Sequence, residues 1–182
     1  MRLKKTTRKT LARKTMIHLA PGPTYPAARG NVYLPIVVNQ VDPALAFYDL
    51  MLHDVRQQRP RLEVCEVLQT GAMRRAFDLA HGEPWAHRDS TGLGSNGIAR
   101  GYGCALPESY SSDQNYIESL TAGMESAQVA FDSLARSDHH KMHLFGEVDF
   151  YRAQIHVGVG YCKNPDAPYQ YYWCIWIAEC LH

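Results

Sequence analysis

The sequence predicts an α+β domain, and two observations predict it. Between residues 42 and 145 the apolar residues recur at the three-and-four spacing of amphipathic helices. From residue 154 onward the period changes: two runs rich in β-branched and aromatic residues flank a turn.

The elements follow in chain order. Residues 1–31 read as a basic disordered tail, with Pro21, Gly22, Pro23, Pro26 and Gly30 opposing regular structure, and residues 32–182 as a single domain. Val32–Val38 is apolar, but Pro35 demotes it to an edge strand or an extended segment. Asp42-Pro43 is a helix start, a capping side chain followed by proline at the first helical position. That helix is expected to continue to about Gln57, with Leu45, Tyr48 or Asp49, Met51 or Leu52, and Val55 stepping round one face. A second helix is expected over 64–80, with Ala72, Ala76, Leu79 and Ala80 inward and Arg74, Arg75 and Asp78 largely on the other face. Gly82 and Pro84 stop it, which leaves His87 just beyond a helix end.

Residues 81–113 are rich in Gly, Ser, Asn and Pro and read as a long loop, in which Ile98–Cys104 suits a short strand. A third helix fits Ser126 to Arg136 and a fourth, short one fits His139 to Phe145, ended by Gly146. Gln154–Cys162 and Gln170–Ala178 are expected to pair as a hairpin about Asn164–Pro168, which places Cys174 opposite residue 158.

Composition bounds the function. An apolar fraction of 46% and a charged fraction of 20% are ordinary for a globular protein, and no apolar run approaches the roughly 18 residues that cross a bilayer. The formal net charge of +1 hides an asymmetry: eight basic residues and no acid precede Asp42, whereas 11 Lys or Arg face 18 Asp or Glu from there on. The folded part is thus acidic and the tail basic; the tail reads first as a solvated disordered arm, with binding to nucleic acid or an anionic membrane the less favoured alternative. The apolar run after the basic start, Met16–Ala20, is shorter than a signal peptide requires. Five cysteines (65, 104, 162, 174, 180) lack C-x-x-C spacing, which argues against a zinc ribbon or thioredoxin-type site. They remain either small buried residues or disulfide partners, and the odd number leaves at least one thiol over.

The side chains most able to do chemistry are His81, His87, Glu108, His139, His140, His143 and His156; none stands in an H-E-x-x-H or Gly-x-Ser-x-Gly arrangement. Their order supplies more than their spacing. Ala72, Asp78, Leu79, Ala80, Trp85, Ala86 and His87 fall, without a gap, on the frame A-x-x-H-S-x-D-M-A, four residues, F-S-H, with Arg75 and Ala76 replacing its His-Ser. Asp89, Gly92 and Gly101-Tyr102 follow it, then Glu108, Ser137–Lys141, the Ile155–Gly160 strand and the aromatic Tyr172–Trp176. In this order residues 42–178 resemble the CAP superfamily, the cysteine-rich secretory, antigen 5 and pathogenesis-related proteins, and especially its short bacterial members.

The resemblance implies an α-β-α sandwich: a small, mainly antiparallel sheet flanked by about four helices, with a large cleft. It also implies a pair of histidines that bind zinc or another divalent metal, carried here onto His87 and His140. Three extra residues between Phe131 and His140 make His139 or His143 the alternatives. Glu108 takes the place of the cleft glutamate, and the family's second glutamate, due near Ser133 or Leu134, is absent. The implied function is a cleft that binds a divalent cation and a lipid or peptide ligand in an extracellular or cell-envelope protein. The alternative is a metal-dependent peptidase or esterase with Glu108 as general base. Oligomeric state is not implied.

Overall fold

Small residues decide how the layers of this domain approach one another. The computed structural model describes residues 42–181; the expected basic tail and the Val32–Val38 segment lie outside the described residues. Chain order is α1 (Pro43–His53), β1 (Glu63–Val64), α2 (Glu66–Ala80), α3 (Ser95–Gly101), β2 (Glu118–Ala122), α4 (Ala127–Arg136), α5 (Asp138–Phe145), α6 (Asp149–Arg152), β3 (His156–Lys163) and β4 (Tyr171–Ala178).

The four strands form one mixed sheet in the order β1-β3-β4-β2, in which only the β1–β3 pair is parallel. Successive strand residues point to opposite faces, and the core divides accordingly. On one face Phe47 and Met51 of α1, Phe131 and Leu134 of α4 and Leu144 and Phe145 of α5 cover Val157, Val159, Trp173, Ile175 and Ile177. On the other, Leu68, Ala72, Ala76 and Leu79 of α2 and Ile98 and Ala99 of α3 cover Leu120, Tyr172, Cys174 and Trp176. The architecture is the expected α-β-α sandwich, with six helices among the described residues rather than about four.

The second face is built on close approach. A Cβ on Gly158 would overlap the backbone of Leu68, and one on Gly160 the carbonyl of Ala72. These two glycines let α2 lie directly on β3, and Gln69 locks the contact by donating to Val159 O (2.7 Å) and accepting from Val159 N (3.0 Å). Gly71 serves α2 in the same way, since a Cβ there would overlap the Trp176 ring.

Several local expectations are corrected. Helix α1 stops at His53 because Asp54 turns extended and accepts from the Arg56 backbone and guanidinium. Its buried stripe is Ala44, Phe47 and Met51, one step round from the expected face, and Val55 is fully solvent-facing. Ile98–Cys104 is not a strand: Ser95–Gly101 is α3, which Gly94 and Gly97 allow by leaving room for the crossing backbone at Ser112–Gln114. The hairpin register is shifted, so Cys174 faces Gly160 rather than residue 158. A seven-residue connection bearing Gln170 at φ +62° sets that offset.

Arg59 fixes the position of α5. Its buried guanidinium donates to the carbonyls of His143 and Leu144 at the helix end and to Gln154 O. Those carbonyls lack helical partners and carry the negative end of the helix dipole, so a cation there satisfies both needs.

Candidate functional site

The side-chain pattern of β2 builds the site. Glu118 and Ser119 stand at the start of this edge strand and point to opposite faces, so a pocket astride them draws residues from both helical layers. Its lining is His87, Asn115, Tyr116, Glu118, Ser119, His139, His140, His143 and Tyr151, around a cavity of about 110 Å³.

Glu118 is fully buried and is the organising charge. Its Oε1 accepts from His87 Nδ1 (3.0 Å) and the Ser95 hydroxyl (2.8 Å); its Oε2 accepts from Trp176 Nε1 (2.9 Å), Arg75 Nε (3.3 Å) and the Cys174 thiol (3.5 Å). Burial pushes its carboxyl up, but the His87 hydrogen bond, the Arg75 charge and the Trp176 N–H outweigh it and hold the group below the usual range. Asn115 fixes the backbone, accepting from Glu118 N and donating to Glu118 O, both at 2.9 Å. Five donors fill the roughly four lone-pair sites of a carboxylate, so Glu118 has no capacity left to take a proton from water. It acts as a positioning group.

Its buried counter-ion is Arg75, expected on the outward side of α2. The Arg75 side chain is 2% exposed, and Nη2 also donates to Ala86 O (2.6 Å), which ties the loop carrying His87 to the helix. Helical periodicity assigns charged residues outward; it cannot register a carboxylate 43 residues away that makes the inward position favourable.

The histidines differ in what they have free. Because His87 Nδ1 donates to a carboxylate, its Nε2 is the unprotonated nitrogen of the neutral ring, a carboxylate–histidine arrangement that orients an imidazole as a ligand. His140 shares a 2.9 Å hydrogen bond between Nδ1 and the Ser137 hydroxyl. Burial, then the neighbouring His87 and His139, lower its pKa and favour the neutral ring. His139 lines the pocket from an exposed position.

His143 is different in kind. Its Nε2 donates to Ile177 O (3.3 Å) and its Nδ1 accepts from the Ser119 hydroxyl (2.8 Å), while burial and the Arg59 charge push its pKa down to about 3. Both nitrogens are spent on the fold, which removes it as an alternative ligand. His81 stacks on Phe77 at 3.9 Å and hydrogen-bonds Phe77 O, outside the pocket.

Glu108 is not among the lining residues. It is exposed on a turn closed by Tyr110 N donating to Pro107 O (3.0 Å), and the carboxylate of the pocket is Glu118, ten residues on. The signal that points to it is Asn115-Tyr-Ile-Glu-Ser-Leu-Thr-Ala122, a strand-like run in which Glu118 is the one charged residue. Among the described residues no group of three or more His, Cys, Asp or Glu is placed to hold a metal ion. Two imidazoles, His87 and His140, do line one pocket.

A second hollow shares Tyr116 and Tyr151 with this pocket and is lined besides by Ser109, Tyr110 and Phe150, with a volume of about 390 Å³. Its rings cluster tightly: Tyr110, Tyr116 and Phe150 have mutual centroid distances of 5.5 Å.

No family model matches the chain, and no curated protein matches it. Among solved structures, an outer surface protein from Borrelia burgdorferi is similar, with a TM-score of 0.56 over 75% of this chain and 91% of that one at 15% sequence identity. That is a likeness of fold. No described helix is long and apolar enough to cross a membrane.

Proposed function

We propose that this is a CAP-type binding domain of the cell envelope or extracellular space, whose cleft at the head of β2 takes a divalent cation through His87 and His140. The adjoining aromatic hollow would take a lipid or peptide ligand. The observation that carries the reading is the buried Glu118, which receives His87 Nδ1–H and leaves Nε2 as the free nitrogen of that ring. Within the CAP pattern, Glu118 then takes the glutamate position in place of Glu108. Envelope placement is supported by the name of the similar structure, an outer surface protein.

Two neutral imidazoles suit Zn²⁺ or Cu²⁺, with water or a ligand group in the remaining positions. When bound, the cation supplies a Lewis-acidic anchor for an oxygen or nitrogen of the ligand. The chain's own groups orient His87 through Glu118 and keep His140 neutral. Tyr110, Tyr116 and Phe150 offer apolar area with hydroxyl edges, which matches an acyl chain or an aromatic side chain.

Calorimetric zinc titration tests the reading. Wild type should bind one equivalent with modest affinity, His87→Ala or His140→Ala should weaken it at least tenfold, and the double variant should abolish it. Unchanged uptake by the double variant overturns the assignment. Binding should also fade in acid, because protons compete with the cation for imidazole nitrogen, with His140 resisting protonation to a lower pH than a free imidazole.

A further inference from the structure

Three cysteines from distant parts of the chain meet towards the β1 edge of the sheet, across from the edge strand β2 that carries the histidine pocket. Cys65 precedes α2, Cys104 follows α3, and Cys180 lies just past β4. The Cys180 thiol donates to the Cys65 sulfur at 3.5 Å across a sequence separation of 115. Cys104 is close enough to couple electrostatically with both.

Each segment is held by its backbone. Cys65 N donates to Val157 O (3.0 Å), Cys180 N to His156 Nδ1 (3.1 Å), and Leu181 N to Ala105 O (2.8 Å). Held this way, the two sulfurs need close only about 1.5 Å to reach the roughly 2.05 Å of a disulfide. Both residues are half-buried, whereas Cys104 is 4% exposed, with burial pushing its thiol up to about 12. Cys174 is committed to Glu118, and Cys162 lies towards the far end of β3.

We propose that Cys65 and Cys180 are an oxidisable pair, forming a disulfide that ties the end of the chain to the start of α2, with a protein or small-molecule disulfide as oxidant. The Cys65 sulfur, as thiolate, attacks the oxidant disulfide and expels its first thiol. The Cys180 thiol then loses its proton, and its sulfur displaces the second thiol from Cys65. Two protein thiols and one disulfide become one protein disulfide and two thiols, with two electrons passed to the oxidant. The pair shares no residue with the cation site, whose lining lies around β2 at the opposite edge.

The test treats the folded full chain with oxidised glutathione, alkylates it under denaturing conditions and maps its peptides by mass. Free thiols should fall from five to three, with a Cys65–Cys180 cross-linked peptide. Cys104→Ser should leave that peptide in place, and Cys180→Ser should remove it. Because the bond closes a long loop, the oxidised chain should melt about 5–10 °C above the reduced one, a difference absent in Cys180→Ser. Five surviving thiols, a lone glutathione adduct, or a bond mapped to any other pair overturns the proposal.

Discussion

The two faces of the sheet solve the packing problem in opposite ways. The α1, α4 and α5 face is filled by volume: Phe47, Phe131, Phe145 and Trp173 interlock, with Phe47 5.7 Å from both Phe131 and Trp173. The α2 face is filled by proximity, with Gly71, Gly158 and Gly160 removing the side chains that would separate the layers. The close-packed face also carries the buried Arg75–Glu118 pair, although close packing leaves little room for water to screen charge. A large-residue face tolerates rearrangement; a face of backbone contacts does not, and this second face supports His87.

The largest expected effect tests that contrast directly. Gly160→Ala forces a methyl into the Ala72 carbonyl, which cannot swing away as a side chain would, and should destabilise by about 4 kcal/mol or more. Phe47→Leu on the opposite face should cost about 1.5 kcal/mol or less. Denaturant midpoints measured side by side decide it, and equal losses would break the comparison. Next is Arg75→Met, which leaves Glu118 buried without its counter-ion and should cost about 3 kcal/mol. Adding Glu118→Gln should recover part of that loss, and a purely additive double variant would sink the charge-pair account.

A third effect belongs to the volume-packed layer and depends on pH. His143 is held near 3, below the 6.5 of the unfolded chain, so between these values the unfolded state binds a proton that the native state refuses. Its contribution is therefore complete above pH 6.5 and drains away as pH falls towards 3, at up to about 1.4 kcal/mol per pH unit. His143→Gln should flatten the stability curve between pH 6 and 4, and an unchanged slope would show that the acid limb has another source.

Much of this fold is legible in the sequence because its signals are local. The Asp42-Pro43 start, the small-residue stripe of α2, the Ser126 cap that accepts from Val129 N, and the aromatic hairpin each announce themselves within a dozen residues. Ile98–Cys104 misleads because its β-branched and aromatic content suits a strand, while the helix there is fixed by tertiary contact with residues 112–114. The site is half legible. His87 and His140 can be placed by order, but Glu118 becomes meaningful only when Arg75, His87, Ser95 and Trp176 converge on it from four segments. No window of sequence contains that convergence, and Glu108 misdirects because it follows Gly101-Tyr102 in the order the resemblance expects.

The missing side chains of Gly158 and Gly160 bear finally on the thermodynamics of anything that enters the cleft. With nothing between them, the backbones of α2 and β3 form one slab, and Arg75 and the loop tied to it by Ala86 ride on that slab. The configurational entropy of this wall was surrendered when the chain folded. A guest meeting His87 has no ordering left to impose there, so the freedom lost on association comes from the exposed first turn of α5, where His139 faces solvent, and from the guest itself.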